Sequence, residues 1–305
     1  MSRMQVQMLS DGKRLHLQDG PIDLIVGADG DPVHVARAYD VAQIRFSTIL
    51  DELCSELFLL RQPTNVMPDG QVAARMWRAT ADLARTTFLT PMAAVAGSVA
   101  EEVLYAMVTV AEVERAHVNN GGDIAIHLGP WTDYDIGLVD RPENPSLFSK
   151  AHIDWTDAVR GIATSGWRGR SFSFGIADAV TVLAVTAGVA DAAATLIANA
   201  VDLPGHPAIL RVPAIEIQPD NDLGNRLVTR DVGELTPNEI AEALDRGVAF
   251  ASGLVANGTI IACAIHLAGE TRTVGDVLID QPRRLSSDAR REGQEIPRLG
   301  RGRLP

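Results

Sequence analysis

The chain has 305 residues, of which 46% are hydrophobic and 22% are charged, a composition typical of a globular protein with a sizeable core. Its net charge of −12 argues against a nucleic-acid partner, because an acidic surface repels phosphate. The first residues are polar, and no apolar run of about 18 residues indicates a membrane span. We therefore expect a cytoplasmic protein without a membrane partner.

Two cysteines, Cys54 and Cys263, lie in apolar periodic segments and match no metal-binding spacing. We expect both to be buried free thiols in a reducing compartment, which agrees with a cytoplasmic location.

The first third of the chain predicts strands followed by helices. Alternating apolar and polar side chains predict strands over residues 5–9, 14–17 and 22–26. Apolar residues at helical spacing then predict helices over residues 32–61, 67–85 and 93–110. The third helix is rich in Ala, Gly and Ser, so it can pack closely against its neighbours.

The rest of the chain mixes the two element types. Strands are expected over residues 116–118, 124–128, 135–139, 159–164, 178–185 and 259–267. Thr186 is placed to cap a helix over residues 189–201, and Thr236 forms a capping box with Glu239 that predicts a helix over residues 239–255. The pattern predicts an α+β fold with an antiparallel or mixed sheet and helices packed on it.

We expect one domain over residues 1–275, followed by a basic tail over residues 276–305. The tail has few apolar residues and seven arginines: Arg283, Arg284, Arg290, Arg291, Arg298, Arg301 and Arg303. Such composition favours a flexible, solvated end. The alternative is an arm that docks on a partner subunit, which together with the small-residue helix points to a homodimer.

Four segments have the composition of a binding site. The first, residues 90–101, opens a helix with almost no side-chain bulk. Free amides at such a helix start can accept an anion or let a ligand approach the backbone. The alternative is a tight packing face.

The second segment, residues 119–124, places Gly121 and Gly122 inside a strand pattern, where glycines mark a bulge or a close approach to the backbone. Asn120 and Asp123 supply polar groups at that point. The alternative is a plain turn.

The third segment, residues 161–166, ends a predicted strand with Thr164, Ser165 and Gly166. Hydroxyls beside glycine can hold a phosphate or a carbonyl oxygen, and Ser165 could act as a nucleophile. Spacing alone assigns no base to it.

In the fourth segment, Asp191 and Thr195 are four residues apart on a predicted helix, so their oxygens point the same way. A carboxylate and a hydroxyl suit Mg²⁺. The alternative is a helix start at which Asp191 faces the dipole and Thr195 bonds back to the chain.

Taken in order, these segments resemble the ApbE family, the FAD:protein FMN transferases. That family has an LGGIAKG-type helix, a GGD strand, an ATSG stretch and an ADALAT-like helix, matched here by residues 92–98, 121–123, 163–166 and 190–195. The match is closer to a cytosolic branch in which PMAAVAG, ENGGDI, TSSG, HSLSFGKADAV and LADAAAT recur, matched here by residues 91–97, 120–124, 164–166, 171–180 and 189–195. The ordered set covers roughly residues 5–270, although no single motif is diagnostic.

The resemblance implies a tunnelling-fold-like α+β core with FAD in its cleft. It implies Mg²⁺ held by Asp191, Thr195 and the carbonyl of Ala96. The residues that would line the cofactor site are Asn120, Gly121, Gly122, Asp123 and Gly166.

Two departures from the family concern its charged groups. The family lysine aligns with Gly97, and the HxIDPxTG segment, which supplies a histidine, has no counterpart; residues 171–174 stand near its place. Stabilising a leaving phosphate is an electrostatic task. A shared fold therefore does not by itself carry over the transfer reaction.

Three functional hypotheses follow. The first is an ApbE-like enzyme that binds FAD or a related nucleotide with Mg²⁺ and transfers FMN to a cytosolic redox protein. The second is a hydrolase or ring-opening enzyme acting on a small planar heterocycle. Its candidate residues are Ser165, Thr164, Asp178, Asp123 and His152. The third is a non-catalytic flavin carrier or assembly factor.

His152 and Asp154 lie in a polar segment that could form a lid over the cleft. The alternative, which we favour, is an ordinary surface loop.

Overall fold

The main sheet of the computed structural model has nine strands, within the described residues 4–139, 147–275 and 279–280, and all its pairings are antiparallel. In spatial order they are β1 (Gln5–Met8), β2 (Leu15–Asp19), β3 (Ile22–Asp29), β4 (Arg115–Asn120), β5 (Asp123–Leu128), β8 (Gly161–Ser165), β9 (Ala179–Ala184), β12 (Ala262–Leu267) and β13 (Glu270–Val274).

Two smaller sheets flank the main one. The first contains β6 (Asp133–Val139), β7 (Leu147–Asp154) and β14 (Ile279–Asp280), and the second contains β10 (Ile209–Pro213) and β11 (Leu227–Val232). The polar segment with His152 and Asp154 is therefore strand β7, and the expectation of a surface loop was wrong. A register of seven antiparallel pairs between β6 and β7 holds it in place.

Seven α-helices lie within the described ranges. They are α1 (Pro32–Ser55), α2 (Leu57–Leu60), α3 (Gln71–Thr80), α4 (Val95–Val110), α5 (Ala187–Ala200), α6 (Ala214–Ile217) and α7 (Pro237–Ala256). The predicted caps are confirmed: Thr186 accepts a hydrogen bond from Val189, and Thr236 forms a capping box with Glu239. The predicted α+β class with an antiparallel sheet and packed helices is likewise confirmed.

The apolar side chains form three clusters around the main sheet. Helices α1 and α4 pack on β2, β3 and β4, and α3 packs on α4, in a cluster where Leu17, Leu24 and Phe46 are fully buried. Helices α5 and α7 pack on β8, β9 and β12. Residues such as Ile153 and Ile162 build the third cluster between the main sheet and β6–β7. Burying one large apolar side chain contributes about 1.5–3 kcal/mol, so these clusters hold α4 and α5 firmly against the sheet.

The segment Pro91–Val110 has the length and hydropathy of a membrane-spanning helix, which the sequence pattern did not indicate. Half of its most apolar 18-residue window is buried inside the structure, and Val99, Ala100 and Val103 are fully buried in the first cluster. Its apolar character is therefore used in core packing.

Cys54 is exposed, so the expectation that both cysteines are buried was wrong for this one. The buried stripe of α1 passes through Phe46, Ile49 and Leu53, and Cys54 falls just beside it on the helix surface. Cys263 is buried in β12, and burial raises the pKa of its thiol to about 12.

The predicted domain boundary at residue 275 stays a prediction. Within the predicted tail, β14 pairs with β7 beside Ala151, and residues 276–278 and 281–305 lie outside the described residues. The tail arginines are therefore not placed.

Candidate functional site

The first turns of α4 and α5 pack against each other at close range because small residues meet there. A Cβ on Gly97 would collide with the carbonyl of Ala187, and a Cβ on Gly161 of β8 would collide with the backbone of Thr186 and Ala187. The small-residue segment that opens α4 is thus a tight packing face, as the alternative interpretation expected. Its packing also brings the free amides of two helix starts together.

Each of the two helices is capped by a carboxylate of the other. The backbone N–H of Gly97 in α4 donates to Oδ2 of Asp191 at 3.0 Å, and the N–H of Gly188 in α5 donates to Oε1 of Glu101 at 2.9 Å. Helix starts carry orphan amides and a positive dipole end, so each carboxylate satisfies a donor and meets favourable charge. This reciprocal capping fixes Asp191 over the start of α4.

The carboxyl group of Asp191 is strongly perturbed at these helix starts. Burial raises the pKa of its carboxyl well above the ordinary value, and the negative charge of Asp123 raises it further, while the amides of Gly97 and Ala96 act in the opposite direction. Burial also raises the pKa of Asp123 to about 7, against the lowering effects of the Thr164 amide and the Arg170 charge. Both residues are half-buried, and burial acts on the carboxyl group of each. Two carboxyl groups from different elements therefore interact at one poorly solvated place.

The hairpin that joins β4 to β5 brings Asp123 to this place. Gly121 and Gly122 form its two-residue turn with positive φ of 66° and 116°, a conformation that glycine adopts without strain. The Thr164 amide of β8 donates to Oδ1 of Asp123 at 3.2 Å. At the end of β4, Nδ2 of Asn120 donates to the carbonyl oxygen of Ala96 at 3.2 Å, which ties the hairpin to α4.

The oxygen atoms gathered here fit a hard cation. Asp191 and Asp123 supply carboxylates, Ala96 supplies a carbonyl, and Thr195 lies one turn along α5 from Asp191. Mg²⁺ prefers such oxygen ligands and usually keeps several waters. Within the described residues, no group of three His, Cys, Asp or Glu side chains could hold a metal, so backbone, hydroxyl and ligand oxygens would have to complete the coordination.

The loop after β8 is held by Asp178. Nε of Arg168 donates to its Oδ1 at 2.7 Å, and the backbone N–H of Ala268 donates to its Oδ2 at 2.7 Å. The Arg168 guanidinium also stacks 4.3 Å from the Trp167 ring centroid. Because donors surround its carboxylate, Asp178 anchors this loop to the turn after β12.

Comparison with known proteins identifies the chain's family. A family model described as AbpE bacteria matches residues 6–273. The chain belongs to this family. The ApbE-like family predicted from the sequence motifs is thereby confirmed.

Relatives of the AbpE chain occur among archaeal UPF0280 proteins. One from Methanosarcina acetivorans is 30% identical over 202 residues, which are 62% of this chain and 72% of that protein. One from Methanosarcina barkeri is 35% identical with the same coverage, and one from Methanococcus vannielii is 42% identical over 36% of this chain and 44% of that protein.

Two solved structures align with most of the AbpE chain at low identity. The apo flavinyl transferase ApbE of Pseudomonas stutzeri gives a TM-score of 0.42 at 12% identity, covering 89% of this chain and 94% of its own. A point mutant of the flavin transferase ApbE from Vibrio cholerae gives 0.34 at 12% identity, covering 89% of this chain and 96% of its own.

The structure of the AbpE chain brings most of the predicted site residues together. Those that it connects by hydrogen bonds or by charge are Asp191, Ala96, Asn120, Asp123 and Thr164, with Gly121 and Gly122 in the adjoining turn. Thr195 follows on α5, Ser165 ends β8, and Gly166 is the next residue. Asp178 is occupied by its own set of donors instead. The roles assigned to these residues stay predictions.

Two residues of the site were missed by the sequence argument. Glu101 caps α5 from another helix, α4, so no local spacing in the chain gave a signal for this role. Arg170 lies against Gly121, where a Cβ would collide with its guanidinium. The run Arg168-Gly169-Arg170 after Gly166 was the available signal, since two arginines beside glycines often approach a phosphate.

Proposed function

We propose that the AbpE chain binds a flavin nucleotide together with Mg²⁺ at the starts of α4 and α5, and transfers the FMN half of FAD to a protein hydroxyl. The observation that carries this proposal is the pair of desolvated carboxyl groups of Asp123 and Asp191. Two such groups repel each other when both are ionised, and a divalent cation removes that repulsion at neutral pH. The ordered resemblance to the FAD:protein FMN transferases supports a flavin as the ligand.

The proposed metal ligands are Asp191, Thr195 and the carbonyl of Ala96. Asp191 is oriented by the Gly97 amide, and the Ala96 carbonyl by the Asn120 amide group, so both donors are held before any ligand arrives. Bound there, Mg²⁺ would offset the negative charge of a phosphoryl group.

The proposed transfer makes one bond and breaks one. The acceptor hydroxyl oxygen bonds to the FMN phosphorus, the bond from that phosphorus to the bridging oxygen of FAD breaks, and AMP leaves. The hydroxyl proton passes to a base. Asp123 is suited to that task because its carboxylate lies at the site outside the proposed ligand set and is held in place by the Thr164 amide. Ser165 follows Thr164 at the end of β8, where the Ser165 hydroxyl can position the phosphate.

The proposal is tested by incubating the purified protein with FAD in Mg²⁺ or in EDTA, and measuring AMP by chromatography. An extract of the source organism supplies acceptors, and in-gel fluorescence detects covalently attached FMN. We expect AMP and labelled protein with Mg²⁺ only, and neither with Asp191→Asn. That variant keeps an oxygen for the Gly97 amide and removes the charge.

Other outcomes would replace the proposal. FAD that binds without releasing AMP or labelling any protein would favour a flavin carrier. A protein with no affinity for FAD in Mg²⁺ would leave the hydrolase hypothesis, and small heterocyclic acids and amides would then be the ligands to screen.

A further inference from the structure

Arg170 lies directly on the backbone of the β4–β5 hairpin. Its guanidinium fills the space that a Cβ on Gly121 would occupy, and Gly121 also has a φ of 66°, which L side chains rarely adopt. The turn therefore combines two features that only glycine satisfies. One of them, the missing side chain, lets a cation rest beside the Asp123 carboxyl.

The loop that carries Arg170 is anchored on both sides. Before it, Arg168 is bound to Asp178 at 2.7 Å. After it, the backbone N–H of Phe174 donates to Oδ1 of Asn199 in α5 at 2.8 Å, and the Ser173 hydroxyl contacts the same oxygen at 3.2 Å. Anchors on either side limit the positions that Arg170 can take, which lowers the entropy lost when it binds a ligand.

The positive charge of Arg170 is available to bind a ligand. It forms no ion pair with any residue in the described part of the chain, whereas the neighbouring Arg168 is paired with Asp178. The side chain is exposed and lies close enough to Asp123 for its charge to favour that carboxylate. A guanidinium presents several N–H groups in a planar fork that matches two phosphate oxygens.

We propose that Arg170 binds a phosphate group of the nucleotide, on the side of the Asp123–Asp191 pair that faces the β4–β5 hairpin. The inference rests on the proposed function and names the chemical class of its ligand, a phosphate ester or diphosphate. This chain has Gly97 at the position of the family lysine, and Arg170 would supply a positive charge in the cleft instead.

The test compares the wild type with Arg170→Ala, Arg170→Lys and the control Arg230→Ala. Arg230 is an exposed arginine of β11 that forms no ion pair within the described residues. Affinities for FAD, FMN and riboflavin are measured in Mg²⁺ by fluorescence quenching, and circular dichroism confirms the fold. We expect Arg170→Ala to bind FAD and FMN roughly tenfold to hundredfold more weakly and riboflavin as before, since only a charge-assisted bond to phosphate is lost. Arg170→Lys should lie in between, and Arg230→Ala should match the wild type.

Equal affinity of Arg170→Ala and the wild type for FAD would overturn the inference and leave the proposed function intact. An equal loss for FAD and riboflavin would also overturn it, since Arg170 would then only shape the cleft. If the wild type binds no flavin, the proposed function fails, and inorganic pyrophosphate with Mg²⁺ becomes the probe. Pyrophosphate binding that Arg170→Ala abolishes would still support the phosphate role, and pyrophosphate binding by neither protein would overturn it.

Discussion

Replacing Asp123 by asparagine should change how the stability of the metal-free protein depends on pH. Burial raises the pKa of this carboxyl from its ordinary value of 3.8 to about 7. The folded protein then binds a proton that the unfolded chain releases above about pH 4. The free energy of unfolding therefore decreases as pH rises from about 4 to about 7, and Asp123 adds no further change above that range. An asparagine side chain cannot titrate, so this part of the decrease should disappear in Asp123→Asn.

The size of the effect follows from the pKa. At about 1.4 kcal/mol per pH unit, a pKa that rises from 3.8 to about 7 corresponds to about 4 kcal/mol. Asp123 is partly accessible to solvent, which weakens such interactions, so we expect about half of this, about 2 kcal/mol. Asp191 titrates beside it, so the profile of Asp123→Asn should be flatter than that of the wild type without becoming level.

Urea denaturation in EDTA at several pH values between 4 and 8 measures this difference. The matched control is Asp245→Asn, which changes an exposed aspartate of α7 that forms no ion pair within the described ranges. We expect the control to follow the wild type and Asp123→Asn to be the more stable protein at pH 8. Parallel profiles for all three proteins would show that burial does not raise the pKa of Asp123.

Three further predictions concern the elements that build the site. Gly97→Ala should lower the free energy of unfolding by about 1–3 kcal/mol, because its Cβ meets the α5 backbone. Gly253→Ala, on the exposed face of α7, should raise the free energy of unfolding by up to about 1 kcal/mol. Similar stabilities of the two variants in thermal unfolding would contradict the tight packing. Glu101→Ala should lose about 1 kcal/mol in urea denaturation, and Glu101→Gln, which keeps an acceptor for α5, should lose less; equal losses would argue against a capping role. Asp178→Ala should expose the loop at Arg168 to faster cleavage by trypsin, and an unchanged cleavage rate would show that other contacts hold it.

Helix starts could be predicted from the sequence because their signals are local. Thr186 and the pair Thr236 and Glu239 lie within one turn of the amides that they bind. Strands β10 and β11 were not predicted, since their short segments are partly charged and acquire strand structure only by pairing with each other.

The candidate site was predictable in part for the same reason. The spacing of Asp191 and Thr195 on one helix follows from sequence alone. That Asp123 approaches Asp191 depends on how a hairpin packs over two helices, so only the family resemblance placed them in one site. The capping by Glu101 and the contact between Arg170 and Gly121 likewise arise from tertiary packing, which no spacing in the chain encodes.

In the proposed function, Asp191 holds a cation which the flavin nucleotide needs for binding. Calorimetric titration of FAD into the wild type, Asp191→Asn and the control Asp245→Asn, each in Mg²⁺ and in EDTA, tests it most directly. We expect saturable binding by the wild type and the control in Mg²⁺ only, and none by Asp191→Asn. Equal binding in Mg²⁺ and EDTA, full binding by Asp191→Asn, or no binding by the wild type would contradict it.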